Sequence, residues 1–135
     1  MFSSTVQIRI YYEDTDFSGL VYHANYLKFF ERGRTEGLRE AGFNNSTLKD
    51  RDDPVVFAVR SMDISFHNAA HMDDILTITT TVAEVKGAKM VFHQAARRGD
   101  IQIASATVLV ACLQPNGRPR RIPEDILKVL GPDNS

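Results

Sequence analysis

Two glycines on the apolar face of one long helical segment constrain the fold more than any other feature of the chain. From Asn25 to Ala41, the residues Tyr26, Phe30, Gly33, Gly37, Leu38 and Ala41 recur at helical spacing and share a face. Lys28, Arg32, Arg39 and Glu40 fall largely on the other. Asn25 is a good N-cap and Gly42 a good residue just past the end, which brackets about four and a half turns. In a helix interior each glycine costs about 1 kcal/mol against alanine. A turn apart on the apolar face, the pair makes sense if the helix lies very close to another surface; the alternative is a pair of tolerated defects. A sheet wrapped around the helix would be such a surface.

The rest of the chain supplies strands for that sheet. Thr5 to Tyr12 alternates apolar and polar residues, the period of a half-buried strand. A polar loop, Asn44 to Pro54, follows the helix. Beyond it lie four strand-like runs, Val55–Phe66, Ile75–Val85, Met90–Arg97 and Ile101–Leu113. Thr77 to Val82 is a β-branched stretch that a helix disfavours. Lys86-Gly87-Ala88-Lys89 and Arg98-Gly99-Asp100 read as hairpin turns. Pro115 to Pro119 ends the last strand, and Pro123 opens a short terminal helix. The order β, long α, then four β predicts an α+β architecture, with one helix against a meandering antiparallel sheet. At 135 residues, 1–135 reads as a single domain that buries about two-thirds of its surface on folding.

Composition excludes several functions. With 16 basic against 17 acidic side chains, the chain lacks the basic footprint that nucleic acid demands. Cys112 is the lone cysteine, so neither an intrachain disulfide nor a Cys-based zinc cluster is expected. His23, His67, His71 and His93 are not spaced as a ligand set, and no metal is expected. Met1 to Gln7 lacks the basic flank and apolar stretch of a signal peptide. The longest nearly apolar run, Ala106 to Leu113, is far short of the roughly 20 residues of a membrane span. The expected setting is cytoplasmic.

The chemistry concentrates between the first strand and the helix, in Tyr11-Tyr12-Glu13-Asp14-Thr15-Asp16-Phe17-Ser18-Gly19-Leu20-Val21-Tyr22-His23-Ala24-Asn25-Tyr26. Acids here have a plain use, solvating a turn or interacting favourably with the helix N-terminus. Asp16 has a second use. Followed by Phe17 and then Gly19-Leu20-Val21, its carboxylate would be partly desolvated and its basicity raised, as a general base or nucleophile needs. Composition and spacing leave both uses open.

The pattern Tyr12-x-Asp14-Thr15-Asp16-x-x-Gly19-x-Val21-Tyr22-His23-x-Asn25-Tyr26, continuing to Glu31-Arg32-x-Arg34-Thr35-Glu36, resembles the signature of the 4-hydroxybenzoyl-CoA thioesterase family. Within that family it is most similar to the YbgC-type acyl-CoA thioesterases associated with the Tol–Pal envelope system; Arg60-Ser61-Met62 and Asp73-Asp74 also resemble that branch. The resemblance implies the hotdog fold, a long central helix wrapped by an antiparallel sheet of five or six strands. It further implies homodimers that pair into tetramers, and hydrolysis of a short-chain or aromatic acyl-CoA. No separate cofactor is expected, because coenzyme A belongs to the substrate. Acyl carrier protein and envelope or lipid-synthesis proteins are partners that come with the resemblance alone.

By the same resemblance, Asp16 corresponds to a catalytic aspartate that either attacks the thioester carbonyl or activates water. His23 corresponds to the position whose backbone N–H polarises the thioester oxygen. Helix N-termini suit that task, having unpaired donors and a partial positive charge. The His23 imidazole then either orients Asp16 or a water, or simply packs. For the phosphates of coenzyme A, Lys86 and Lys89 stand where related thioesterases carry basic residues; Arg118, Arg120 and Arg121 form a second basic cluster. An ordinary solvated turn is the competing account of both.

Other residues carry plainer expectations. Glu31 has Arg32 and Arg34 near enough to form a structural ion pair, and Asp73-Asp74 is expected to satisfy turn amides or an interface. Phe17, Tyr22, Phe57 and Phe66 either line an aromatic pocket or belong to the core. The chain departs from the branch at Ala69-Ala70-His71, where relatives usually carry Pro-Ala-Arg, so a rigid turn and a permanent cation are lost. Two other readings stay open. One is acyl-thioester hydration or dehydration, although Asp16 and His23 lack the tighter spacing of hydratases. The other is a non-catalytic acyl-CoA or acyl-carrier-protein binding domain.

Overall fold

The helical period of the sequence becomes α1, Asn25–Glu40, and the sheet forms around it. A computed structural model describes residues 2–131 of the chain. Met1 and residues 132–135, which the single-domain reading includes, lie outside the described residues. Five strands, β1 (Ser3–Arg9), β2 (Val56–Phe66), β3 (Ile75–Lys86), β4 (Lys89–Arg98) and β5 (Ile101–Leu113), form one antiparallel sheet in the order β1-β3-β4-β5-β2. Two short helices, α2 (Asn45–Asp50) and α3 (Glu124–Leu130), complete the α+β hotdog arrangement. Among the described residues, no helix is long and apolar enough to cross a membrane.

Strand alternation decides which side chains meet the helix. On β3, Leu76, Ile78, Thr80 and Val82 are buried, while Thr77, Thr79 and Thr81 stand on the opposite face. The helix answers with Tyr26, Phe29, Phe30, Gly33, Gly37 and Leu38. Both glycines sit where the sheet comes close. A Cβ on Gly33 would lie 2.8 Å from Ile78 Cγ2 and from Thr80 Oγ1, and one on Gly37 would lie 2.7 Å from Ser4 Oγ. Close packing, rather than tolerated defects, accounts for the pair.

The gap at Gly33 also admits a polar group. Gln94 occupies an inward position of β4 and is only 3% exposed. Its Nε2 donates to the Phe30 carbonyl at 2.9 Å and to Thr80 Oγ1 at 2.8 Å, and its Oε1 accepts from Arg34 Nη1 at 2.9 Å. A buried amide is tolerated because both ends are satisfied. Arg34 therefore turns to Gln94, and the expected ion pair with Glu31 is not made; Glu31 Oε1 accepts from Thr35 Oγ1 at 3.4 Å.

The ends of α1 split the sequence reading. At the C-terminus Gly42 adopts φ +100°, with Gly42 N–H donating to Arg39 O and Phe43 N–H to Leu38 O, the paired bonds of a Schellman motif. At the N-terminus Ala24, not Asn25, holds the capping position. Asn25 is already helical, and its Nδ2 donates 2.8 Å to the Asp14 carbonyl, tying the helix start to the acidic segment. The first strand also ends earlier than its alternation suggested, at Arg9. Tyr11 N–H donates to Asp14 Oδ2 at 2.8 Å, and this cap draws Tyr12–Asp14 into a 3₁₀ turn. The predicted loop at Asn44–Pro54 holds α2, anchored by Leu48 alone; a single apolar residue shows no period to read.

Candidate active site

The acidic segment folds into a small hairpin of its own. Thr15 and Val21 form an antiparallel bridge, and Asp16 N–H donates to Leu20 O at 3.0 Å. At its tip Asp16-Phe17-Ser18-Gly19 makes a β-turn closed by Gly19 N–H to Asp16 O at 3.0 Å, with Gly19 at φ +82°. Asp16 Oδ1 accepts from the Ser18 N–H at 2.8 Å and from the Ser18 hydroxyl in a short hydrogen bond. This is the local side-chain-to-backbone bond that makes Asp a turn residue. Oδ2 has no hydrogen-bond or ion-pair partner among the described residues.

The surroundings of Asp16 differ from the sequence expectation. In the single chain the carboxylate is exposed, and the hydrogen bonds from Ser18, hydroxyl first and backbone second, hold it below the ordinary carboxylate range. Raised basicity was expected from the apolar flanks, but Phe17 points outward, fully exposed, and provides no cover. Asp16 is thus a carboxylate already ionised at neutral pH.

His23 begins the turn that leads into α1. Asn25, Tyr26 and Leu27 N–H groups donate to Tyr22, His23 and Ala24 carbonyls. Among the described residues, neither the His23 nor the Ala24 N–H has an acceptor. Two free donors therefore sit at the positive end of a 16-residue helix, a setting suited to an oxygen that becomes negative. The imidazole packs. Its ring centroid lies 4.7 Å from that of Tyr22 and 6.2 Å from that of Phe66, edge-on, and it contributes only weakly to the charge stabilisation of Asp16. Phe66 in turn lies 5.6 Å from the buried Tyr26. Of the aromatic set, Phe57 packs against the core, while Tyr22 and Phe66 form an exposed rim beside His23.

The lysines lie elsewhere. Lys86 and Lys89 face each other across the two-residue β3–β4 hairpin turn, whose Gly87 adopts φ +62°. They border an open depression with Glu84, Val91 and Leu109. The lysines close the far end of β3, whereas its other end, at Ile75, pairs with Arg9 of β1, the strand that leads into the Asp16 segment. In the second basic cluster Arg120 is committed to Asp53 and to the Pro54 carbonyl, at 3.3 Å for the latter.

Sequence reasoning missed two supports. Ser18, the partner of Asp16, was legible in principle from the Asp-x-Ser-Gly turn pattern. The other is the β2–β3 loop, residues 67–74: Ala70 O accepts from Val21 N–H at 2.9 Å, and His71 bridges Leu20. Asp74 in this loop is structural, as expected. Its Oδ2 accepts from the His71 N–H at 2.8 Å and from Arg98 Nη1 at 2.9 Å. Burial works to raise its pKa, but these two partners hold it below the ordinary range.

Comparison with known proteins decides the family. Residues 18–105, well over half of the chain, match the model of the thioesterase superfamily. The chain belongs to the thioesterase superfamily. The match opens two residues after Asp16 and takes in His23, Lys86 and Lys89. The chain is 47% identical over 106 residues to the acyl-CoA thioesterase YbgC of Haemophilus influenzae, covering 78% of this thioesterase and 77% of that protein. A probable thioesterase from Bartonella henselae superposes with a TM-score of 0.87 at 43% identity, covering 90% of this chain and 99% of that one. The 4-hydroxybenzoyl-CoA thioesterase of Pseudomonas sp. strain CBS-3 superposes with a TM-score of 0.87 over 96% of this chain and 99% of that one; at 23% identity it attests the hotdog fold.

Proposed function

We propose that this thioesterase hydrolyses acyl-CoA, with Asp16 acting on the thioester carbonyl and the His23 amide receiving its oxygen. The observation that carries the reading is the succession of two features along one short stretch of chain: an ionised carboxylate with a free Oδ2 at the hairpin tip, and unsatisfied N–H groups just beyond the hairpin at the entry to α1. In the reaction, water adds across the thioester and the C–S bond breaks. Hydroxyl goes to the acyl carbon and the proton to sulfur. Asp16 either attacks the carbonyl carbon first or takes the proton from the attacking water, and the geometry of the free chain is compatible with both. The carbonyl oxygen gains charge as the tetrahedral intermediate forms. A preorganised amide there is worth roughly 3–4 kcal/mol in the transition state.

Exposure of Asp16 favours a site completed by a second copy. β2 is an edge strand ending at Phe66, and Phe17, Tyr22, Phe66 and Met72 leave an apolar rim open beside Asp16 and His23. Antiparallel pairing of two β2 edges would turn the hairpin end of one copy toward the Asp16 end of the other. Lys86 and Lys89 of one copy would then serve coenzyme A phosphates bound at the other's site. The reading includes a homodimer that pairs into a tetramer, a short-chain or aromatic acyl group and a cytoplasmic setting. Coenzyme A is substrate in this scheme and no cofactor takes part. Acyl carrier protein and envelope or lipid-synthesis proteins are its proposed further partners, a family association with no residue assigned.

The test is release of free thiol from a panel of acyl-CoAs that differ in chain length and aromaticity. Wild type is expected to turn over at least one class. Asp16→Asn keeps the shape and removes the charge, and is expected to lower kcat by about a hundredfold or more. Undiminished turnover in Asp16→Asn removes Asp16 from the mechanism.

A further inference from the structure

We infer that Arg98, acting with Asp74, is a positioning residue for the hydrolytic reaction, a proposal that rests on the roles given above to Asp16 and the His23 amide. Arg98 is the last residue of β4 and reaches across to the 67–74 loop. Its Nη1 donates to the Ala69 carbonyl at 3.0 Å and to Asp74 Oδ2 at 2.9 Å, so one guanidinium nitrogen joins both ends of the loop's tip. Asp74 Oδ2 also accepts the His71 N–H at 2.8 Å, which fixes the residues between.

What this clamp presents is backbone. The Ala70 carbonyl accepts Val21 N–H, His71 bridges Leu20, and Leu20 O accepts Asp16 N–H. A continuous run of hydrogen bonds therefore leads from Arg98 through Ala69–Asp74 and Leu20–Val21 to the backbone of Asp16. Val21 is also two residues before His23, so the same support sets where α1 begins. The loop is held hard from its other side. Asp73, at φ 71°, is the one non-glycine residue with positive φ among the described residues; its N–H donates to Ile10 O and its carbonyl accepts from Arg9 Nη1, both at 2.8 Å. Such a conformation persists where the surroundings over-determine it.

Magnitudes separate a positioning role from a stabilising one. The Arg98 and Asp74 side chains are 32% and 23% exposed, and a partly solvated pair adds little to global stability. Its effect is instead on the place of the loop tip, to which reaction geometry is sensitive. A shift of about 1 Å remote from the chemistry can cost roughly a hundredfold in rate.

The experiment compares the full-length wild type with Arg98→Met, Arg98→Lys and Arg51→Met. The last breaks the 2.7 Å Arg51–Asp125 pair, which takes no part in the run of bonds, and serves as a purely structural control. Thiol release gives kcat and KM, urea unfolding gives stability, and hydrogen exchange reports on the segment 15–22. In Arg98→Met we expect kcat to fall by about tenfold to a hundredfold with KM within about twofold, and faster exchange in 15–22. Arg98→Lys should recover part of both losses, since it keeps a cation within reach. Arg51→Met should leave kcat and the 15–22 exchange unchanged. A folded Arg98→Met protein with wild-type kcat, or with unaltered exchange in 15–22, overturns the proposal. An active Asp16→Asn variant overturns the parent reading instead, while the exchange comparison still reports on the clamp. Wild type inactive on every acyl-CoA overturns both.

Discussion

Replacing Gly33 by alanine tests the central packing claim with a single methyl group. The added Cβ would stand 2.8 Å from Ile78 Cγ2 and Thr80 Oγ1 and 3.0 Å from Gln94 Nε2. Carbon contacts are comfortable at about 3.5–4.0 Å, so something must move by roughly 0.7 Å. Ile78 and Thr80 are β-branched and stiff, and they sit on β3, hydrogen-bonded by β1 and β4 on its two sides. Overpacking of this kind costs about 1–3 kcal/mol. If Gln94 yields instead, its bonds to Phe30 O and Thr80 are lost, at about 1–3 kcal/mol for a buried donor left unsatisfied. Against this, alanine gains about 1 kcal/mol of helix propensity. At the middle of either range the net expectation is a loss of about 1 kcal/mol, rising to about 2 at its upper end, or a Tm lower by roughly 4–8 °C at this chain length. Gly37→Ala is the internal reference. Its Cβ would meet only the Ser4 hydroxyl closely, at 2.7 Å, and that hydroxyl can rotate away, so its stability should stay within about 1 kcal/mol of wild type. Urea unfolding followed by far-UV circular dichroism, at one protein concentration, measures both. A Gly33→Ala protein as stable as wild type, or less damaged than Gly37→Ala, refutes the reasoning.

Two further outcomes follow from the site. Ser18→Ala removes the hydroxyl that does most to keep Asp16 ionised at low pH; the carboxyl should then protonate at higher pH, moving the acid limb of kcat/KM toward neutrality. A pH–rate profile superposable on wild type would detach Ser18 from the titration of Asp16. The pair Lys86→Ala and Lys89→Ala, combined, should raise KM for acyl-CoA about five- to thirtyfold at unchanged kcat, since an exposed charge contact is worth about 0.5–1 kcal/mol. An unchanged KM would leave the hairpin lysines as an ordinary solvated turn.

Legibility in the sequence followed the range over which each residue is satisfied. Gly33 and Gly37 announced a close surface because their cost is local and visible in a helical period, and the alternation from Thr5 to Tyr12 announced β1 as a half-buried strand in the same way. Leu48, alone, could not announce α2. Gln94 sits at a position its strand reserves for apolar side chains, and what satisfies it is a carbonyl 64 residues away, opened to it by Gly33; no window on the sequence contains both. Arg98 and Ala69 stand in the same relation, 29 residues apart. Asp16 is the instructive case. Its turn chemistry closes within the four residues Asp16–Gly19, so a plain turn explains its side chain completely, and the family resemblance, not the local pattern, singled it out. The structure adds what the turn alone lacks. The same hairpin is hung on the β2–β3 loop and leads into unsatisfied helix amides, and it is on this placement, beyond the turn itself, that the role proposed for Asp16 rests.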